Sequence, residues 1–262
     1  MILNLIGKVE KKIYDLRREN PLVIPQLDPE NKNLGEITQS LRKIKALGLQ
    51  HIVIGGSIMD PLLLQNCIDV AVKDFDFSVV TYLSNSSVAM IKGIKNKTAV
   101  YWMSVINAEN PFYFKDNLIM SSIAISRKNL ETLPTAYVFD DRGGVKTANW
   151  LTRAIPVPKE KPDISLSIAL ASQFSGMRFY IMAGGSGAVN PPPISHINLL
   201  SKKTNLFLIP TSGIRSLTHV TGVFEAGADA VHIGKLLEQK SGWKVLEKIV
   251  KESKRYQGKD FL

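Results

Sequence analysis

Eight short, nearly unbroken apolar runs alternate with longer segments of helical periodicity along the chain, and this rhythm limits the fold more than any other feature. The runs are LVIPQLD (22–28), HIVIGG (51–56), FSVVTYL (77–83), TAVYWMS (98–104), LPTAYVF (133–139), MRFYIMA (177–183), NLFLIP (205–210) and AVHIG (230–234). Their apolar residues follow one another instead of alternating with polar ones, as in parallel strands buried on both faces. Helical spacing fills most of the gaps, clearly at 35–48, 60–74, 161–176 and 216–227. Three of these segments reach a glycine (Gly48, Gly176, Gly227), a residue that ends helices by taking the left-handed backbone. Eight β-then-α units predict an α/β fold of the (β/α)8 TIM-barrel type rather than an open doubly wound sheet. The 262 residues suit one such barrel, which takes roughly 250. Residues 1–262 are therefore read as a single domain, with an N-terminal helix over 1–20 and a C-terminal helix over 236–262. One unit breaks the rhythm. Residues 140–162 hold paired glycines and three prolines, which predicts an irregular loop in place of a regular helix after strand five. Such a loop is either part of an active site or a solvated connector.

Composition narrows the function. No apolar run approaches the roughly 20 residues that span a bilayer. The first twenty residues mix apolar and charged side chains at helical spacing without a signal-peptide core, so a cytoplasmic protein is expected. The one cysteine, Cys67, excludes an internal disulfide and a cysteine metal cage, and its apolar surroundings predict a buried thiol. The net charge of +10 is spread along the chain, and where it is dense, at the two ends, acids alternate with bases. That is the pattern of solvated helix faces, so no nucleic-acid partner is expected. A generally positive surface suits a diphosphate substrate or anionic lipid headgroups. The four histidines (His51, His196, His219, His232) show no metal-binding spacing and are assigned to structure.

Barrel enzymes carry their chemistry where strands end at the C-terminal face. Strand one ends in Asp28, a carboxylate able to hold magnesium against diphosphate oxygens, or simply a turn residue before Pro29. Strand two ends in Gly55-Gly56-Ser57, and Ser57 can complete a metal or phosphate shell. Strand three runs into Ser84-Asn85-Ser86-Ser87, which can bind ligand or cap a helix. Strand six ends in Ala183-Gly184-Gly185-Ser186-Gly187, strand seven in Thr211-Ser212-Gly213-Ile214-Arg215 and strand eight in Gly234-Lys235. Three neighbouring glycine-rich ends predict a phosphate site of exposed backbone N–H groups. Aromatic residues near strand four (Tyr101, Trp102, Phe112, Tyr113, Phe114) can line a groove for an isoprenoid tail or belong to the core.

The order of these pieces resembles the geranylgeranylglyceryl phosphate synthases of archaea and the related bacterial heptaprenylglyceryl phosphate synthases. The likeness runs from about residue 21 to 240 and rests on LDPEN (27–31), HIVIGGS (51–57), SVINAENPFYF (104–114), ETLPTAYVF (131–139), the segment 156–188, SGIRS (212–216) and AGADAVHIGK (226–235). The resemblance implies a phosphate-binding TIM barrel that joins sn-glycerol-1-phosphate to a polyprenyl diphosphate, geranylgeranyl diphosphate above all. The glycerol 3-hydroxyl would attack the allylic carbon with magnesium present, making the first ether bond of archaeal membrane lipids. It also implies self-association, as a homo-oligomer or with a paralogue, while the basic surface suits transient contact with a membrane surface. By the same likeness Asp28 and Ser57 hold the metal, while Tyr180 and the backbone at Gly213 and Gly234 grip glycerol phosphate.

The chain departs from the family pattern in places. After strand six the family reads tyrosine, leucine, glutamate, alanine, glycine, serine, glycine. Here Tyr180 is followed by Ile181, Met182, Ala183 and Gly184-Gly185-Ser186-Gly187, so Met182 stands for the glutamate and one glycine is extra. Thr211-Ser212-Gly213 replaces a triple glycine, Lys235 a small or amide residue, Asn31 a lysine and Arg153 an acid. Asp140 and Asp141 are the nearest substitutes for the missing carboxylate. The alternative reading is a catalytically impaired paralogue that serves as a partner subunit or binds phosphate or prenyl ligands.

Overall fold

The computed structural model describes residues 6–30, 32–128, 130–143, 147–186 and 188–261. Eight parallel strands follow in chain order: β1 (Leu22–Leu27), β2 (His51–Ile54), β3 (Ser78–Tyr82), β4 (Thr98–Val105), β5 (Glu131–Phe139), β6 (Phe179–Ala183), β7 (Phe207–Thr211) and β8 (Ala230–Ile233). They close into a barrel, with β8 pairing back on β1. The expected TIM barrel is what forms. Side chains along each strand alternate between two environments. Ile24, Val53, Val80, Tyr101, Ile181 and Ile209 pack together inside the barrel. Their neighbours Val23, Ile52, Val79, Val100, Tyr180, Met182 and Leu208 pack outward against helices. Burial on both faces explains the unbroken apolar runs, since each fully buried aliphatic or aromatic side chain contributes about 1.5–3 kcal/mol.

The surrounding helices start where local chemistry starts them. Helix α2 (Leu34–Ala46) opens with a capping box in which Asn33 and Glu36 satisfy each other's backbone N–H groups. Helix α3 (Pro61–Lys73) begins at Asp60, whose carboxylate accepts from Leu62 N, with Pro61 in the first turn. The N-terminal segment forms α1 (Lys8–Arg17) and closes the lower end of the barrel. Glu131, at the base of β5, accepts from Val9 N (2.9 Å) and Glu10 N (2.7 Å), two orphan donors of the helix start. Tyr14 stacks on Phe179 and on Phe261, so the chain's end also packs beneath the barrel.

Three boundaries differ from expectation. The irregular stretch after β5 is present, with one short helix, α5 (Thr147–Thr152), but it precedes a regular helix, α6 (Pro162–Phe174), rather than replacing it. The connection without a regular α-helix is the one after β3, where a 3-10 turn (Ser86–Met90) leads to β4. The polar run Ser84–Ser87 starts that turn, and Asn85 caps it. At the chain's end a 3-10 turn (Lys235–Glu238) precedes α9 (Gly242–Ser253), a much shorter helix than 236–262. The remaining helices are α4 (Asn117–Arg127), α7 (Ile194–Lys203) and α8 (Leu217–Glu225). Among the described residues, no helix is long and apolar enough to cross a membrane.

Cys67 is buried, and burial pushes its thiol up to about 11. His196 is structural: it bridges Ser165 on α6 and the carbonyl of Lys159. Burial lowers both His51 and His232 to about 3, from about 6.5 in an unfolded chain. The unfolded chain therefore binds protons that the folded chain refuses. Stability present above about pH 6.5 is lost as the pH falls toward 3, by roughly 1.4 kcal/mol per pH unit for each imidazole. Urea unfolding of His51→Leu at pH 7 and pH 5 will show about 2 kcal/mol less acid-induced loss than the natural protein. Equal losses in the two proteins would contradict this.

Candidate active site

The carboxyl ends of the strands surround a pocket of about 1270 Å³, its open mouth included. Its wall divides into three parts: a glycine-rich and basic side from β6, β7 and β8, a carboxylate side from β1 and β2, and an apolar side from β4, β5 and α5. Gly185, Ser186, Ser212, Gly213, Arg215, Gly234 and Lys235 form the first side. Gly185, Ser212 and Gly213 all take left-handed backbone (φ 77°, 67° and 69°). At Gly213 only glycine fits, because an added Cβ would lie 2.1 Å from the carbonyl oxygen of Asn190. Ser212 holds this conformation without being glycine, a strain of the kind found at ligand sites. Such successive turns offer N–H groups to an anion. Those of Ser212 and Gly213 donate to no protein acceptor among the described residues. Arg215 does not point free: its Nη2 donates to Ala188 O (2.5 Å). Lys235 pairs with Glu238 at 2.6 Å, and both reach the pocket's rim.

Behind these turns lies a buried ion pair that the sequence did not reveal. The Arg142 guanidinium forms a two-pronged contact with Asp140 and donates to the carbonyls of Thr211 (2.5 Å), Ser212 (2.8 Å) and Met182 (3.1 Å). One side chain thus ties the tops of β5, β6 and β7, and breaking such a pair costs about 3–5 kcal/mol. Gly184 does not line the pocket. It makes room for the bolt, since a Cβ there would sit 2.6 Å from Arg142 Cδ. Asp140 is therefore committed to Arg142, and Asp141 is exposed and accepts from Gly143 N. Neither supplies a free carboxylate to the pocket.

On the facing side Asp28 and Ser57 line the pocket with Lys32. Asp28 lies flat on Gly56, where an added Cβ would be 2.6 Å from both carboxylate oxygens. Burial raises its pKa, against a hydrogen bond from Glu30 N and the charge of Lys32. Among the described residues no group of three or more His, Cys, Asp or Glu could form a closed metal cage. One carboxylate and one hydroxyl nonetheless suit magnesium, which keeps most of its shell for water and substrate phosphates.

The apolar side is Met103, Val105, Tyr113, Phe139, Ala148 and Leu151. Ala148, Leu151 and Thr152 come from α5, so the irregular segment after β5 forms part of the site wall. A second hollow, lined by Asn110, Tyr113, Trp150, Leu151 and Arg153, shares Tyr113 and Leu151 with it. Of the aromatic residues singled out near β4, only Tyr113 lines the main pocket. Tyr101 is inside the barrel and Trp102 packs on the outer core. The floor is polar: Gln26, Tyr82 and His232 face the pocket. No sequence motif marked them, because each sits singly within an apolar strand.

A family model for the PcrB family matches residues 14–254. The chain belongs to the PcrB family. It is 31% identical over 232 residues to the geranylgeranylglyceryl phosphate synthase of Methanothermobacter thermautotrophicus, covering 88% of this chain and 92% of that one. It is 30% identical over 235 residues to the Pyrococcus furiosus enzyme of the same name, covering 89% and 91%. Its fold matches that of (S)-3-O-geranylgeranylglyceryl phosphate synthase from Thermoplasma acidophilum, solved with sn-glycerol-1-phosphate. That match has a TM-score of 0.86 and 24% identity, covering 94% of this chain and 98% of that one.

Within this PcrB-family barrel, two expected catalytic positions need correction. Tyr180 and Met182 do not face the pocket; both are buried in the outer core between strands and helices. The residues of β6 that face inward are Phe179, Ile181 and Ala183. Counted back from Gly185-Ser186-Gly187, Ala183 takes the place of the pattern's glutamate and Ile181 that of its tyrosine. The extra glycine shifts the alignment by one, and one residue along a strand reverses the face. Gly187 and Asn31 lie outside the described residues. Met182→Leu is volume-conserving and will leave stability within about 1.5 kcal/mol and ligand affinity unchanged. Met182→Glu will bury an unpaired carboxylate and lower stability by about 3 kcal/mol or more. Thermal unfolding reads both, and a stable, tighter-binding Met182→Glu would contradict the outward placement.

Proposed function

We propose that the protein joins sn-glycerol-1-phosphate to a polyprenyl diphosphate such as geranylgeranyl diphosphate, forming an ether bond and releasing diphosphate. The observation that carries this reading is the juxtaposition, in one pocket, of N–H groups at Ser212 and Gly213 that are unpartnered among the described residues, a carboxylate at Asp28 and the apolar wall from Met103 to Leu151. Similarity to synthases of that name supports it. The turns at Gly185, Ser212–Gly213 and Gly234 hold the acceptor phosphate, with Lys235 adding positive charge at the rim. Asp28, helped by Ser57, would hold magnesium, which would supply positive charge to the diphosphate oxygens. Met103, Val105, Tyr113 and Phe139 exclude water from the allylic carbon, and Tyr113 and Leu151 lead the tail toward the hollow beside Trp150. The acceptor hydroxyl oxygen bonds to that carbon, and its proton leaves with diphosphate or to solvent at the open mouth.

Partners follow from the same reading. The exposed residues Ile119, Met120 and Ile123 share one side of α4 and offer an apolar surface to a second subunit. The basic surface favours transient contact with an anionic membrane, where a prenyl product resides. The absence of a carboxylate at Ala183 favours a second reading, in which the site binds both ligands without joining them.

Incubation with sn-glycerol-1-phosphate, geranylgeranyl diphosphate and magnesium should yield geranylgeranylglyceryl phosphate by mass spectrometry. Asp28→Asn should lower kcat/KM by about 100-fold or more. Binding of both substrates with no ether product would sink the transferase reading in favour of the second.

A further inference from the structure

The floor of the pocket carries a polar chain to which the reaction above gives no task. Tyr82 Oη lies 3.2 Å from Gln26 Oε1 and 2.9 Å from His232 Nδ1, and Tyr101 Oη lies 3.1 Å from His232 Nε2. For a neutral imidazole, hydrogen-bond accounting leaves one arrangement that satisfies all three contacts. The Gln26 oxygen only accepts, so the Tyr82 hydroxyl donates to it. His232 Nδ1 must then carry hydrogen and donate to the Tyr82 oxygen, and bare Nε2 accepts from Tyr101. Burial keeps His232 neutral, which this arrangement requires. The Tyr82 ring is also wedged, tilted against Tyr101 and edge-on to Tyr137. A phenol that could rotate is thereby fixed, with one acceptor position on its oxygen and the Gln26 amide N–H groups left over.

The chain sits directly beneath the phosphate turns. His232 pairs in register with Thr211, which Ser212 and Gly213 follow, and Gly234 stands two residues beyond His232. An added Cβ at Gly234 would be 3.7 Å from Gln26 Cβ. Two residues along a strand span about 6–7 Å, the reach of a three-carbon chain below its phosphate. Ser84, on the same floor, has a buried hydroxyl with no protein partner among the described residues.

We propose that Tyr82, oriented by His232, binds a hydroxyl of the acceptor and makes the site selective for a polyol phosphate over its deoxy counterpart. This rests on the acceptor reading above and names how the acceptor is chosen. Tyr82 is the binding residue; His232 and Tyr101 are positioning residues. A ligand without hydroxyls leaves the Tyr82 and Gln26 groups unmatched in a buried place, which is how polar sites reject isosteres.

Calorimetric binding of sn-glycerol-1-phosphate and of n-propyl phosphate, which lacks the hydroxyls, tests this. The natural protein should prefer glycerol phosphate by about tenfold or more. Tyr82→Phe should lose most of that preference while binding propyl phosphate within roughly twofold of the natural protein. His232→Leu should lose it likewise, and His232→Asn, whose amide nitrogen stands near the place of Nδ1, should restore part of it. A merely structural role would weaken both ligands alike, and that result, or a full preference in Tyr82→Phe, overturns the inference. Equal affinity for the two ligands in a natural protein that still makes ether product overturns it while leaving the functional reading intact. If the natural protein binds neither ligand, the functional reading falls and this inference with it.

Discussion

Each barrel strand turns one side chain to the interior and the next to the helices, and both sides are buried. Every strand is therefore locked in register, because a slip of one residue would exchange its entire set of contacts. The functional consequence is sharpest in β6. Ile181 and Ala183 enter the barrel, while Tyr180 and Met182 are consumed in packing within the outer core. Which residues can meet a ligand is decided by that alternation before any chemistry is considered.

Charge is arranged in keeping with the same constraint. Arg142, fully enclosed near the site, is neutralised by Asp140 and donates to three carbonyls, and so holds three strand ends together. Other charges lining the pocket stay at the rim, on Asp28, Lys32 and the paired Lys235 and Glu238. The floor below is neutral: burial keeps His232 unprotonated, pushes Tyr137 up to about 12 and raises Tyr82 well above the usual phenol range. In the proposed reading, an anionic ligand would be met by backbone dipoles and rim cations, and its uncharged part by hydroxyls and an amide.

Much of the barrel was legible in the sequence because parallel strands buried on both faces leave long apolar runs, and glycine-rich strand ends mark close backbone approach. All eight strands fall within or beside the runs that predicted them, and Asp28, Ser57, Ser212, Gly213, Gly234 and Lys235 do come together at one pocket. What stayed hidden depends on direction rather than identity. The face of Met182 could not be read where an inserted glycine blurred the count. Arg142 looked like one more loop residue, because its four partners come from three different strand ends. Tyr82 and His232 are 150 residues apart and meet only across the closed barrel. The connection after β3 was unremarkable in sequence because a capped polar turn and a capped helix begin with the same residues.

In the proposed reading, acceptor phosphate rests on the β6 and β7 turns, with the rest of the acceptor pointing down to the floor. A crystal structure with sn-glycerol-1-phosphate and magnesium tests it most directly. Phosphate oxygens are expected within hydrogen-bond distance of the Ser212 and Gly213 N–H groups, with glycerol directed toward Tyr82 and Gln26, and Met182 remote from the ligand. Phosphate held instead by Lys32 and Lys235 at the rim, with glycerol in solvent, would contradict it.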